Sequence, residues 1–190
     1  MKENNWFDPF YIQSHLSEEE SNIQKNVRDF CNNELKPTVV ESNRKNEFDK
    51  ELYPKFGSLG VLGQTVKTHG GSGTSNLAYG LVAYEFEKID SSYRSSISVQ
   101  SSLVIHPINE FGSQEQKDKY LPQLIKGEKI GCFGLTESEA GSDPASMKTS
   151  FKKTKDGYIL NGSKNWITNA PIADIFLSLI HISEPTRLES

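Results

Sequence analysis

Ile130-Gly-Cys-Phe-Gly-Leu-Thr-Glu-Ser-Glu-Ala-Gly-Ser-Asp143 divides this chain in two. Ile130 to Thr136 reads as an apolar β-run. The rest is a loop dense in glycine, alanine, serine and acid. Such a loop exposes backbone N–H groups and hydroxyl donors and lets a ligand approach closely, which suits a flat hydrogen-bonding cofactor or a phosphate. The same residues also admit a plain strand followed by a polar turn. They do not spell the G-x-G-x-x-G fingerprint: the spacing differs and no helix signal follows.

Upstream, the chain reads helical. Ser17 and Glu20 have capping-box spacing, and Ile23, Val27, Phe30 and Leu35 follow at helical intervals until Pro37. A second helix is predicted over Asp49–Ser58, ending at Gly60. Thr74 or Ser75 caps a third, with Leu77, Leu81, Val82 and Phe86 on one face. A break at Asp90-Ser91-Ser92 precedes a helix over Ser95–Glu110. Ser113 with Gln116 opens the last helix, and Gly127 closes it. Downstream the period changes. β-runs are expected at Thr149–Thr154, Tyr158–Leu160 and Trp166–Thr168, with Asp156-Gly157 as a hairpin signal. Helices followed by strands imply segregated layers or two domains. The predicted boundary lies between Lys126 and Lys129.

At 190 residues, 35% apolar and 24% charged, the chain has enough material for a packed core. A net charge of −4 argues against a nucleic-acid surface. No run approaches the about 20 apolar residues of a membrane span, and Met1–Glu20 has no apolar signal core. Cys31 and Cys132 are too far apart in sequence to suggest a metal site or a disulfide framework.

Leu135-Thr-Glu-x-x-x-Gly-Ser-Asp143, followed by Leu160-Asn-Gly-x-Lys-x-Trp-Ile-Thr-Asn169, resembles the acyl-CoA dehydrogenase family. Each motif is moderately specific; the two in this order are highly so. The resemblance implies an α+β multidomain fold. An N-terminal all-α helical domain, residues 1–128, would be followed by the truncated start of a middle β-barrel-like domain, residues 129–176. It implies FAD as cofactor, held by Phe133, Gly134, Leu135, Thr136, Gly141 and Ser142. Trp166, Ile167 and Thr168 would lie along the flavin, Thr168 near its reactive nitrogen. Ser142 would also meet the thioester ligand. From the residues alone, Trp166 reads as a core aromatic and Thr168 as a β-former. The family usually has proline after the Thr-Glu; here Ser138 stands in its place, which would loosen the loop.

Within the family, Gly60-Val-Leu-Gly63, Asp90-Ser-Ser-Tyr-Arg-Ser-Ser-Ile-Ser-Val-Gln-Ser-Ser-Leu103 and His106-Pro107 resemble the branch acting on glutaryl-CoA. That branch implies a substrate site of Arg94, Ser95 and Glu87, the arginine taking the distal carboxylate. A buried carboxylate needs a charged, fork-shaped partner, and arginine provides one. On the residues alone, Arg94 reads as a surface cation pairing with Asp90 one turn away. The implied reaction is oxidative decarboxylation to crotonyl-CoA and CO2. A base takes the α-proton, the flavin takes hydride from the β-carbon, and CO2 leaves from the unsaturated intermediate. The family's glutamate base sits on a C-terminal bundle; Glu110, Glu115 and Glu137 are not candidates. No catalytic residue and no metal ligand is therefore assigned. The implied partners are the acyl-CoA substrate, an electron-transfer flavoprotein and three further copies in a homotetramer, in a bacterial cytoplasm or a mitochondrial matrix.

From Leu177 the reading departs from the family. Leu177-Ser-Leu-Ile-His-Ile-Ser-Glu-Pro-Thr-Arg187 matches a frame translation of a transposase sequencing adapter. Residues 177–190 are read as an artefact, His181 gets no chemical role, and the chain as written is expected to bind FAD poorly and to be inactive. The other readings are a divergent strand at Leu177–Ile182, a short-chain acyl-CoA dehydrogenase, and a non-catalytic helical binding module.

Overall fold

The computed structural model describes residues 8–181, so residues 182–190 of the suspected artefact lie outside the described residues. The chain separates into two compact units, residues 1–128 and 129–190.

The first unit is helical. After a 3-10 turn at Ile12–His15 come α1 (Glu18–Phe30), α2 (Val39–Lys45), α3 (Leu52–Ser58), α4 (Asn76–Glu87), α5 (Ser91–Ser98), α6 (His106–Phe111) and α7 (Gln114–Ile125). Two π-helical stretches, Cys31–Leu35 and Val99–Ile105, extend α1 and join α5 to α6. The sequence sets these limits through its caps. Ser17–Glu20 and Ser113–Gln116 both form complete capping boxes, and Ser75 Oγ accepts the amide of Ala78. The third cap changes the expected boundary. Asp90 is extended and its carboxylate accepts Ser92 N–H, so α5 starts at Ser91, four residues before the predicted Ser95. Asp90-Ser-Ser opens a helix where composition suggested a break. α3 likewise starts at Leu52 and not Asp49, and α2, which buries no residue, was not predicted.

The core is aromatic. Tyr53, Phe56 and Phe86 are fully buried, and Phe56 meets Phe86, Tyr53 and Phe30 at ring-centroid distances of 5.3, 5.8 and 6.0 Å. Burying each ring stabilises by about 2–3 kcal/mol, so this cluster dominates the packing of α1, α3 and α4. Buried Glu85 is satisfied by Gln24 Nε2 at 2.8 Å, Arg28 Nη2 at 2.9 Å and Lys88 Nζ at 3.1 Å. Burial pushes its carboxyl up, but the bonds from Arg28 and Lys88 outweigh that and hold it below its ordinary value. Cys31 and Cys132 are free and buried, and desolvation pushes the Cys31 thiol up to about 12, which makes it inert.

α7 ends where predicted, at Gly127, with φ +72°. Gly127 N–H donates to Leu124 O and Glu128 N–H to Gln123 O. A Cβ on Gly127 would lie 2.0 Å from Tyr53 O. The backbones of α3 and the α7 terminus therefore touch, and glycine is required for both reasons. Gly127→Ala should cost about 3 kcal/mol or more. Urea unfolding of the chain would show it, and a loss of under about 1 kcal/mol would mean the contact yields freely.

The second unit has four strands: β1 (Gly131–Gly134), β2 (Ser150–Thr154), β3 (Gly157–Asn161) and β4 (Ile175–Ser178). β2 and β3 form the hairpin signalled by Asp156-Gly157, with Phe151 opposite Leu160. β1 pairs in parallel with β4, Gly131 facing Ile175 and Gly134 facing Ser178. Leu177 and Ser178 thus lie within a paired strand. The predicted strand at Trp166–Thr168 does not form: Trp166 has φ +59° and is 93% exposed, and Thr168 lies in a turn. Bulky β-formers suggested a strand, but a left-handed backbone cannot pair in one. The reading of Trp166 as a core aromatic falls with it. Among the described residues, no helix is long and apolar enough to cross a membrane, and no His, Cys, Asp or Glu cluster could hold a metal ion.

Candidate functional site

The two motifs of the second unit meet around one acid. Beyond β1, Glu137 and Ala140 exchange backbone hydrogen bonds of 3.2 and 3.1 Å. This closes a tight turn over Ser138 and Glu139, so the turn forms without the family's proline. The Glu137 side chain is 9% exposed. It accepts Lys148 N–H at 2.7 Å, Thr149 N–H at 3.0 Å, Lys164 Nζ at 2.8 Å and the Thr149 hydroxyl. The amide of Lys148, then Lys164 and the Thr149 hydroxyl, hold its carboxyl down at about 2. Glu137 is therefore an ionised structural hub and unsuited to act as a base.

Lys164 completes the junction. Its ammonium also donates to Leu135 O at 3.0 Å, and Asn165 N–H donates to Thr136 O at 2.9 Å. These bonds lay residues 164–166 alongside 135–136. Asn169 Nδ2 reaches Gly131 O at 3.3 Å. Gly162 is needed for close approach, since a Cβ there would lie 2.2 Å from Thr149 Oγ1. Lys164, Asn169 and Thr149 were not assigned from sequence. Lys164 stands in the quoted Asn-Gly-x-Lys motif, which was the signal available.

The predicted cofactor residues lie on β1, on the loop after it and in the turn around Trp166. Phe133, Leu135, Thr136, Ile167 and Thr168 are half-buried, Gly134 is buried, and Gly141 and Ser142 are exposed. Among the described residues no hydrogen bond engages the hydroxyls of Thr136, Ser142 or Thr168. The Trp166 indole stands out from the surface. Unengaged hydroxyls and an exposed indole are groups that a flat, hydrogen-bonding ring can use.

The helical unit carries the other predicted set. Glu87 ends α4 and Arg94 lies one turn into α5. Arg94 Nε donates to Glu87 Oε2 at 2.7 Å, and Ser91 Oγ donates to Glu87 Oε1 at 2.5 Å. Those bonds, Ser91 first and Arg94 second, lower the Glu87 carboxyl. Arg94 does not pair with Asp90, whose carboxylate is taken by Ser92 N–H and Asn43 Nδ2. The Arg94 side chain is 38% exposed, and among the described residues no hydrogen bond uses its terminal nitrogens. Ser95 is half-buried. A groove of about 800 Å³ elsewhere in this unit, lined by Phe10, Arg28, Leu77, Leu81, Tyr84 and Lys88, includes none of the predicted site residues.

Comparison with known proteins bears on both units. Residues 17–128 match the acyl-CoA dehydrogenase N-terminal domain and residues 132–189 the acyl-CoA dehydrogenase middle domain. Mitochondrial isovaleryl-CoA dehydrogenase of Pongo abelii is 41% identical over 165 residues, covering 85% of this chain and 39% of that protein. A solved glutaryl-CoA dehydrogenase from Mycobacterium smegmatis, in complex with FADH2, is 43% identical with a TM-score of 0.85, over 88% of this chain and 43% of that one. Butyryl-CoA dehydrogenase from Megasphaera elsdenii is 38% identical with a TM-score of 0.82, over 89% and 45%. The chain spans less than half the length of these relatives.

Proposed function

Because the chain belongs to the acyl-CoA dehydrogenase family, we propose that it is part of an FAD-dependent enzyme that oxidises acyl-CoA thioesters, with glutaryl-CoA as substrate. Bound FAD supplies the hydride acceptor for the substrate's β-carbon. Phe133–Thr136, Gly141 and Ser142 hold it through backbone groups and hydroxyls. Trp166 covers the ring, Ile167 packs beside it, and Thr168 donates to it. Ser142 also donates to the thioester ligand. Arg94 takes the substrate's distal carboxylate, with Ser95 adding a hydroxyl and Glu87 holding the guanidinium. The α-proton goes to a base contributed by the remaining length of the family. Electrons leave to an electron-transfer flavoprotein, the working assembly is a homotetramer, and the compartment is a bacterial cytoplasm or a mitochondrial matrix.

The substrate assignment rests on one observation. Relatives acting on isovaleryl-CoA, butyryl-CoA and glutaryl-CoA match almost equally well, so similarity does not choose among them. Arg94 does. Its Nε is taken by Glu87 while its terminal nitrogens are open, which supports end-on binding of a second carboxylate. A monoacid chain would leave those terminal nitrogens without a carboxylate to take.

The test uses an enzyme of full family length carrying this segment. Loaded with FAD and mixed anaerobically with substrate, its flavin should be reduced by glutaryl-CoA with a kcat/KM about tenfold or more above that for butyryl-CoA. Equal reduction by both would favour a short-chain enzyme. A colourless protein that never takes up flavin would favour a helical binding module.

A further inference from the structure

The hydroxyl of Ser91 has no capping duty. As the first residue of α5 it sits next to the N-cap, and Asp90 already serves the Ser92 amide. Asn43, from α2, holds Asp90 from the other side at 3.0 Å, so the α4–α5 corner is fixed. Ser91 Oγ is thereby free to reach back across the corner to Glu87 Oε1 at 2.5 Å.

That bond decides how Glu87 meets Arg94. A carboxylate beside a guanidinium usually takes two parallel bonds, here Nε and one terminal nitrogen. Such a fork would use a donor that an incoming carboxylate needs. With Oε1 occupied by Ser91, Glu87 offers Oε2 alone, and Arg94 answers with Nε alone. Both terminal nitrogens stay open. We propose that Ser91 is a positioning residue for recognition of the substrate's distal carboxylate, keeping Glu87 on a single nitrogen of Arg94. This rests on the reading of Arg94 given under the proposed function.

Ser91→Ala frees Oε1. Glu87 then closes onto Arg94 with both oxygens and competes with the substrate. In the full-length, FAD-loaded enzyme, KM for glutaryl-CoA should rise about tenfold, the worth of one charge-assisted hydrogen bond, with kcat little changed. KM for butyryl-CoA should not move, and Ser91→Thr, which keeps the hydroxyl, should restore the glutaryl-CoA value. Alanine is a good helix former at this exposed position, and an unchanged melting curve checks the fold. Arg94→Ala, assayed alongside, separates the two ideas. If Arg94→Ala removes the preference for glutaryl-CoA and Ser91→Ala does not weaken it, the role of Ser91 is wrong and that of Arg94 stands. If Arg94→Ala changes nothing, both are wrong. A fall in kcat for both substrates in Ser91→Ala would mark a merely structural role and overturn the proposal.

Discussion

Glu137→Gln should release the amides of Lys148 and Thr149, speeding their hydrogen exchange by about ten- to hundredfold while the helical unit is unaffected. The reason is the donor set. Glu137 receives two backbone amides, a hydroxyl and an ammonium. Glutamine keeps the shape but loses the charge, and it turns an NH2 toward partners of which the backbone amides and the ammonium can only donate. The predicted cofactor loop, Gly141 to Asp143, runs between these anchors, so FAD affinity in the full-length enzyme should fall as well. A pH dependence follows with a definite sign. The folded Glu137 carboxyl lies at about 2, below the ordinary value of 4.5. Its contribution is fully present above the ordinary value and is lost as pH falls from there through about 2. The charge-dependent part of the stability difference between the wild type and Glu137→Gln should therefore be constant near neutrality, shrink below about pH 4.5, and be lost only below about pH 2. Urea titrations at several pH values would show it; a difference that persists undiminished at pH 2 would mean the carboxylate is not the source.

Arg94→Ala should have the largest effect on substrate choice. In the full-length enzyme kcat/KM for glutaryl-CoA should fall by about a hundredfold or more, because a desolvated carboxylate would be left without its fork. Butyryl-CoA turnover should hold or rise, since its chain end carries no charge for Arg94 to pair. Arg94→Lys should recover only part of the loss, for an ammonium keeps the charge without the planar pair of donors. If glutaryl-CoA turnover survives Arg94→Ala while butyryl-CoA gains nothing, Arg94 does not read the distal carboxylate.

Features encoded by neighbouring residues were legible in the sequence. The capping boxes at Ser17 and Ser113, the cap at Ser75, the stop at Gly127 and the hairpin at Asp156-Gly157 each depend on residues within about a turn of one another, and all are present. So is the change from helix to strand at Ile130. What was missed depends on distant partners. Trp166-Ile-Thr168 has strand composition, but the bonds of Lys164 and Asn165 to Leu135 and Thr136 bend the backbone away from a strand. β4 was read only as an alternative and further on, at Leu177–Ile182, because a parallel partner 44 positions away, Gly131 against Ile175, leaves no local pattern. Glu137 looked like a bystander in a motif, since its partners stand 11, 12 and 27 residues further on. Arg94 and Glu87 are separated by seven residues and a corner, which no single-helix rule pairs; composition pointed instead to Asp90 at helical spacing.

Product analysis decides whether this segment serves a flavin enzyme that oxidises and decarboxylates a dicarboxylic acyl-CoA. The full-length, FAD-loaded enzyme would be given glutaryl-CoA labelled in its distal carboxylate, with an electron acceptor present. Crotonyl-CoA and labelled CO2 are expected in equal amounts. Reduced flavin with neither product, or turnover of butyryl-CoA alone, would contradict that assignment.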